Sequence, residues 1–178
     1  SVLFPQLSPS HLSWFPLVTG ACLVGALRAA GVTPAQMKWP NDVLVEGGKL
    51  AGILCESLPS GRVVAGIGLN IEFHGYHEPV PGSVALSGFV GVTHAAVDSI
   101  VCDTLVGLRR WSETDSQDAE MKARALVHPV LATLDQQVSI HEMDGEVWSG
   151  TAEGRSPQGH LLVTTPAGAA RVGVASGV

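Results

Sequence analysis

Two of the chain's three lysines, Lys38 and Lys49, flank Asn41 and Asp42 in the stretch KWPNDVLVEGGKLAGILCES, residues 38–57. The runs around them are apolar and predict core strands, where a cation needs an anionic partner because an unpaired buried charge is very costly. Two ammonium groups can hold a polyanion, an amide can orient it, and a free carboxylate can act as a base. The stretch therefore predicts a site for an anionic ligand.

Each of these residues also has a purely structural interpretation. Most lysines are solvated surface amines, and Asn41-Asp42 after Pro40 is typical of a turn, because such side chains bond their own backbone. Taken singly, ligand contact and structural pairing explain the lysines equally well, and a turn explains Asn41-Asp42 better. The combination is what favours a ligand site.

A second polar position, Asn70, ends the run GIGLN at residues 66–70. A dinucleotide fingerprint would need a third glycine and a following helix, whereas Ile71 stands there. Gly66 and Gly68 can instead let a ligand approach the backbone, with Asn70 as a polar contact.

Four nearby residues have loose metal-ligand character: Glu72, His74, His77 and Glu78. They lack a supporting helix and a further strong ligand, so they are interpreted as surface loop residues. No metal is expected to be held directly by protein side chains.

The composition excludes several classes of protein. With 46% hydrophobic and 15% charged residues among 178, the chain is globular. A net charge of −6 opposes broad electrostatic binding of nucleic acid. Residues 15–32 are apolar but are interrupted by Gly20, Gly25 and Arg28, so no membrane span is expected, and no secretory signal is visible.

The number and spacing of the cysteines predict the redox state of the compartment. Cys22, Cys55 and Cys102 are odd in number and far apart, which predicts reduced, buried thiols in the cytoplasm rather than a disulfide framework.

Apolar periodicity and turn residues predict an α+β fold. Helices are expected at 16–30, 93–111 and 116–127, and a long loop at 74–92. Strands are expected at 2–4, 37–39, 42–45, 50–56 and 62–70, and then at 138–141, 146–152, 160–165 and 169–174. The first group predicts a mixed, mainly antiparallel sheet with helices on one face, residues 1–131. The second predicts a small β-barrel, residues 132–178.

Residues 38–56 closely resemble the central signature of biotin-protein ligases: a lysine, Trp-Pro-Asn-Asp, a turn, then Lys-x-x-Gly-Ile-Leu-x-Glu. The run GIGLN resembles the second family signature, and residues 15–32 look like the helix that precedes the first. The resemblance implies a catalytic domain of the class II aminoacyl-tRNA synthetase and biotin ligase type, followed by an SH3-like C-terminal domain.

The resemblance also implies an activity. Such enzymes join biotin to ATP as biotinyl-5′-AMP and pass biotin to a lysine of a biotin carboxyl carrier protein. ATP and biotin are the implied substrates, and Mg²⁺ is expected to enter with the ATP phosphates. We expect a cytoplasmic monomer or weak homodimer that acts on the carrier protein, without nucleic acid or membrane partners.

Residue roles follow from matching positions to the family signature. The implied catalytic residues are Lys49, Asp42 and Lys38. The implied biotin contacts are Lys49, Gly52, Ile53 and Leu54, and the implied ATP contacts are Lys38, Asn41, Lys49 and Asn70.

Two alternatives remain open at the level of sequence. A lipoate-protein ligase relative would share the fold and the adenylate chemistry, although Trp-Pro-Asn-Asp and the C-terminal barrel favour biotin. A noncatalytic biotin or adenylate binding module is the other, because the family's Gly- and Arg-rich loop, expected ahead of Ser1, is not among these residues. The N-terminal helix-turn-helix of the DNA-binding relatives is not among them either.

Overall fold

The computed structural model describes residues 1–73, 80–142 and 145–173. The first part comprises β1 (Val2–Phe4), α1 (Pro9–Ala29), β2 (Ala35–Lys38), β3 (Asp42–Val45), β4 (Gly48–Ser57) and β5 (Val63–Leu69). Helices α2 (His94–Ser112) and α3 (Ala119–Val127) follow, and then β6 (Gln137–His141), β7 (Val147–Arg155), β8 (Leu161–Thr164) and β9 (Ala170–Gly173). Two single-turn 3-10 helices, Leu86–Gly88 and His128–Val130, lie between these elements.

The first sheet has the strand order β1-β5-β4-β3-β2, and every neighbouring pair is antiparallel. Helix α1 packs on one face of it and approaches closely at Gly20, where a Cβ would lie 2.9 Å from the Met37 sulfur and 3.0 Å from Ile53 Cδ1. The predicted α+β architecture is confirmed, whereas the expected mixed pairing is not found among the named strands of this sheet. The opposite face of this sheet, called the open face below, carries Asp42, Gly52 and Gly68.

The turn between β3 and β4 is tighter than predicted. Val45 pairs with Gly48, so only Glu46 and Gly47 form the loop, both with positive φ, 50° and 81°. Two-residue hairpins favour positive φ at both positions because that twist matches the flanking strands. Strand β4 therefore begins at Gly48 and already contains Lys49.

Helix α1 begins seven residues earlier than the predicted start at Pro16. Ser8 is its N-cap and accepts a hydrogen bond from the His11 backbone N–H, and Pro9 occupies the first turn. Proline is tolerated in that turn because its missing N–H has no partner there in any case. Pro16 lies inside the helix without ending it, because neighbouring turns and burial support the backbone around one missing hydrogen bond.

Helix α1 also bears on membrane insertion. Among the described residues it is the one helix whose length and mean hydropathy, 1.4 over an 18-residue window, would suffice to cross a bilayer. Length and mean hydropathy alone therefore do not exclude a membrane span, contrary to the expectation from the interrupted run at residues 15–32. However, 67% of that window is buried within the molecule, as in the core helix of a globular protein.

The other helices lie close to their predicted positions. Thr93 caps α2 as expected, accepting a hydrogen bond from Ala96 N at 3.1 Å. Helix α3 begins at Ala119 rather than at residue 116, after a turn. Of the predicted loop at 74–92, residues 74–79 lie outside the described residues.

The described C-terminal strands form a four-stranded antiparallel sheet, β6-β7-β8-β9. The segment that leads into it, around the predicted boundary, is bonded to the first sheet. Ala132 N donates to Met37 O at 2.8 Å, and Trp39 N donates to Thr133 Oγ1 at 2.9 Å. One continuous cluster of buried apolar side chains spans both sheets.

Trp14 of α1 joins the second sheet to the helices. Its indole N–H donates to Pro157 O at 2.8 Å, and the guanidinium carbons of Arg124 and Arg155 each lie 5.2 Å from its ring centroid. Burial, and secondarily the neighbouring Arg124, lowers the pKa of Arg155 to about 10. This contact brings α1, α3 and β7 together around one indole ring.

The three cysteines are unpaired, as expected. Cys22 and Cys55 are partly buried, and burial raises the pKa of each thiol to about 11. Cys102 is exposed on α2, so the expectation that all three are buried is wrong for this residue.

His11 is buried near the start of α1, with 4% of its surface exposed. Its Nδ1 lies 2.7 Å from Ser8 Oγ, and its ring packs edge-on against Trp111, with the centroids 4.9 Å apart. Burial lowers the pKa of His11 below its ordinary value of 6.5, outweighing backbone contacts with Trp111 and Thr114 that raise it. The folded protein therefore favours the neutral imidazole.

We expect acidification to destabilise the protein through His11. Below about pH 6.5 the unfolded chain binds a proton that the folded chain resists, so the free energy of unfolding falls as the pH falls through this range. Urea denaturation of the wild type and His11→Gln at about pH 7.5 and about pH 5.5 should show the smaller pH dependence in the variant. An identical pH dependence in both proteins would contradict this assignment.

Candidate functional site

A β-bulge determines where the Lys49 side chain lies. Val43 pairs with Ala51, but Leu44 pairs with Lys49, so Leu50 is an extra residue in β4. Strand side chains alternate between faces, and an extra residue reverses that alternation beyond it. Leu50 and Ala51 are both buried as a result, and Lys49 reaches the open face instead of the core.

Directly opposed residues in neighbouring strands share a face of the sheet. Lys38 pairs with Asp42, Asp42 with Gly52, and Gly52 with Gly68. One row across four strands thus carries a cation, a carboxylate and then two positions without side chains. With Gly66, which pairs with Leu54, these glycines form a bare strip of backbone on the open face, called the glycine floor (Gly52, Gly66 and Gly68) below.

A shallow cavity of about 440 Å³ lies over the glycine floor. Its lining combines charged, amide and apolar groups beside bare backbone, which suits a ligand with both polar and apolar parts. The lining residues are Ser1, Asn41, Asp42, Lys49, Gly52, Ile53, Leu54, Gly66, Ile67 and Gly68. Six of the predicted site residues are therefore brought together: Asn41, Asp42, Lys49, Gly52, Ile53 and Leu54.

Lys49 and Asp42 form an ion pair in this cavity, with Lys49 Nζ 2.6 Å from Asp42 Oδ1. The Lys49 side chain is 49% exposed and that of Asp42 24%. The pair lies over Gly52, since a Cβ built there would be 3.5 Å from Lys49 Nζ and 3.8 Å from Asp42 Oδ1. The cavity thus holds a solvent-accessible ammonium group whose present partner is a carboxylate.

The Asn41 side chain is hydrogen-bonded to strand β4. Its Nδ2 donates to Ile53 O at 3.0 Å, and Ile53 N donates to Asn41 O at 2.8 Å. Asn41 therefore fixes the segment between β2 and β3 against β4.

The side chains of Ile53 and Leu54, both expected to contact biotin, point to opposite faces of the sheet. Ile53 is 3% exposed, and its side chain lies on the helix-facing side of the sheet near Gly20. It therefore borders the cavity from the core side. Leu54 is 74% exposed on the open face. Of these two side chains, Leu54 is the one that offers free apolar surface beside the glycine floor.

Two predicted residues, Lys38 and Asn70, are not among those lining the cavity. Lys38 is partly buried at the end of β2, one strand beyond Asp42 in the same row. The Asn70 amide donates to two backbone carbonyls, Lys49 O at 3.2 Å and Val84 O at 3.1 Å.

Sequence reasoning missed the segment 82–84, which lies against β4. Lys49 N donates to Gly82 O at 2.8 Å, and Val84 N donates to Lys49 O at 2.9 Å. A Cβ at Gly48 would clash with Val84 Cγ1, so a larger residue there would force the Val84 side chain to shift. Nothing in the local pattern marks residues 82–84 as partners of Lys49, because the contact joins positions more than thirty residues apart.

Four loop residues have metal-ligand character in the sequence. His74, His77 and Glu78 lie outside the described residues, and within the described ranges no group of three potential metal-ligating side chains occurs.

Comparison with known proteins places this geometry in a family. The sequence model of the biotin/lipoate A/B protein ligase family matches residues 5–72. A biotin–[acetyl-CoA-carboxylase] ligase of Mycobacterium tuberculosis is 32% identical over 84% of this chain and 56% of its own length. One of Paracoccus denitrificans is 43% identical over 39% of this chain and 32% of its own length. The chain thus spans about half, or less, of these curated relatives.

A solved biotin protein ligase has a similar fold. The structure of the Aquifex aeolicus biotin protein ligase in complex with biotin and ATP superposes with a TM-score of 0.71 at 23% identity. The match covers 94% of this chain and 70% of that one. The family model spans the first signature and the glycine floor, and both the relatives and the fold agree with it. The chain therefore belongs to the biotin-protein ligase family.

Proposed function

We propose that this chain is an ATP-dependent biotin-protein ligase, or the larger part of its catalytic unit. The single observation that carries the proposal is the Lys49 ammonium, held at Asp42 over the glycine floor in a chain of this family. The proposed substrates are biotin and ATP, and the proposed acceptor is a lysine of a biotin carboxyl carrier protein.

The first step joins two anions. A carboxylate oxygen of biotin attacks the α-phosphorus of ATP, a phosphorus–oxygen bond forms, and pyrophosphate leaves with the electron pair of the broken bond. Repulsion between the two anions opposes their approach, so a cation placed between them lowers the barrier. Lys49 is the proposed cation, and its half-exposed ammonium group is accessible to a ligand in the cavity.

Capture of Lys49 by an anionic ligand has a second effect. The ammonium group must leave or share its contact with Asp42, which frees the carboxylate. In the second step, a carrier lysine attacks the acyl carbon of the adenylate, an amide forms and AMP leaves. That amine is mostly protonated near neutral pH, with an ordinary pKa of about 10.4, and Asp42 is the proposed acceptor of its proton.

The ring system of the ligand is proposed to bind over the glycine floor. Side chains at Gly52 and Gly68 would project into the cavity from the open face, and their absence leaves backbone amides within reach. Leu54 supplies exposed apolar surface beside it, which suits a small, largely apolar vitamin. Ile53 supports this wall from the core side.

ATP is proposed to lie toward Lys38 and Asn41. Lys38 would add a second positive charge at the β2 end of the row, directly opposite Asp42. Mg²⁺ is proposed to enter with the phosphates. When bound, the ion would neutralise phosphate charge.

We propose that the second sheet belongs to an SH3-like barrel, supported by Gly173 of β9, where a Cβ would lie 3.5 Å from Ile140 of β6, across the sheet. Residues 132–178 would form this domain, and residues 1–131 the catalytic domain. Reduced cysteines support a cytoplasmic location.

Biotin-dependent release of pyrophosphate from ATP, followed by mass spectrometry of a carrier domain, tests the proposal. We expect a biotinyl adduct with biotin and none with lipoate. Lipoyl transfer without biotinyl transfer would favour the lipoate ligases. Saturable biotin binding without pyrophosphate release by the wild-type chain would favour a noncatalytic binding module.

In the same assay, Lys49→Ala should lower the rate of pyrophosphate release by about 100-fold or more. The free energy of unfolding should change by less than about 1 kcal/mol, because exposed ion pairs contribute little to stability. Lys122→Ala is the matched control, since Lys122 forms a comparably exposed pair with Asp118 at 3.5 Å on α3. Full turnover by Lys49→Ala would show that the ion pair is only structural.

Asp42→Asn should impair transfer to the carrier more than formation of the adenylate, because the amide cannot accept the amine's proton. Single-turnover transfer from preformed biotinyl-5′-AMP measures the second step separately from the first. Equal losses in both steps would rule out Asp42 as the transfer base.

A further inference from the structure

We propose that Asn70 is a positioning residue for Lys49, which it holds through the backbone of β4 in the ligand-free protein. The inference rests on the proposed function in one respect, since it takes Lys49 as the reactive cation of the site. Asn70 and residues 82–84 are together called the clasp.

The Asn70 amide is oriented by its partners. Its Nδ2 donates to Lys49 O at 3.2 Å and to Val84 O at 3.1 Å. Both partners are carbonyl oxygens, which only accept hydrogen bonds, so the nitrogen end of the amide must face them. Both donor hydrogens of this side chain are thereby committed to backbone.

The backbone of Asn70 adds two further links. Its N–H donates to Leu50 O at 2.9 Å, and its carbonyl accepts from Leu86 N at 2.8 Å. Asn70 thus contacts both the bulged residue Leu50 and the one before it, at the point where the regular ladder between β3 and β4 is interrupted.

The other half of the clasp holds Lys49 from a different side. Its backbone N–H donates to Gly82 O at 2.8 Å, and its carbonyl also accepts from Val84 N at 2.9 Å. Lys49 therefore has its N–H and its carbonyl, on both sides of the Cα atom, bonded to the clasp. Because these bonds restrict the backbone dihedrals, they set the direction in which the side chain leaves the strand.

A bulged strand needs such support. The bulge places Lys49 on the open face but removes regular pairing bonds that would hold it there. The clasp replaces them, so the 2.6 Å contact of Lys49 with Asp42 depends on a side chain that does not line the cavity.

Asn70→Asp separates this role from contact with a nucleotide-linked metal ion. The carboxylate keeps the size of the amide and can still bind a cation, but it cannot donate to Lys49 O and Val84 O. If Asn70 contacted a nucleotide-linked Mg²⁺, Asn70→Asp would retain more activity than Asn70→Ala. If Asn70 positions Lys49, the two substitutions should lower the activity equally. Gln137→Glu, on an exposed edge of β6, is the control for the same change of amide to carboxylate.

The primary measurement needs no enzymatic activity. Acetylation of Lys49 by dilute acetic anhydride, followed by peptide mass spectrometry with Lys122 as internal reference, reports how firmly Nζ is held at Asp42. We expect several-fold faster acetylation of Lys49 in Asn70→Asp and Asn70→Ala, and the wild-type rate in Gln137→Glu. Asn70→Ser, which retains one hydroxyl donor, should be intermediate and keeps the test available if the other variants fold poorly.

The second measurement is the Mg²⁺ dependence of pyrophosphate release. Positioning predicts that Asn70→Asp lowers kcat as far as Asn70→Ala does and leaves the Mg²⁺ midpoint unchanged. Wild-type acetylation of Lys49 in the Asp and Ala variants, or a shifted Mg²⁺ midpoint with retained kcat in Asn70→Asp, would overturn the inference. An inactive wild type would contradict the proposed ligase function alone, because the acetylation result stands without turnover.

Discussion

The arrangement of the candidate site depends on one extra residue in β4. Without the bulge at Leu50, regular alternation would turn Lys49 toward the helices, where an ammonium group has no place among buried apolar side chains. With it, Leu50 and Ala51 both enter the core while Lys49 and Gly52 share the open face. The hydrophobic core and the charged site are therefore built from consecutive residues of the same strand.

The open face also explains why the charges near the signature are tolerated. The Lys49–Asp42 pair is accessible to water and is not a buried ion pair, so it avoids the large desolvation penalty of a salt bridge in a protein interior. An anionic ligand can therefore reach the ammonium group directly from solvent.

Much of the fold and the identity of the site residues could be predicted from the sequence, because periodicity and a specific signature carry that information. The capped α2, the hairpin and the four C-terminal strands follow from local pattern. The predicted start of α1 at Pro16 follows the apolar periodicity and does not use the start signal Ser8-Pro9. The side-chain directions at Lys49 and Ile53, and the contacts of Asn70, depend on the bulge and on a segment distant in sequence, which no local pattern specifies.

The indole of Trp14, with Arg124 and Arg155 on its ring and Pro157 on its N–H, has a consequence for how the chain can be divided. Cutting before β6 to isolate the signature-bearing half would uncover an aromatic ring on α1 and remove the strands that cover it. Such a fragment would expose core surface and tend to self-associate. The C-terminal sheet thus covers core surface of the N-terminal half, and a minimal fragment that carries the site should retain it.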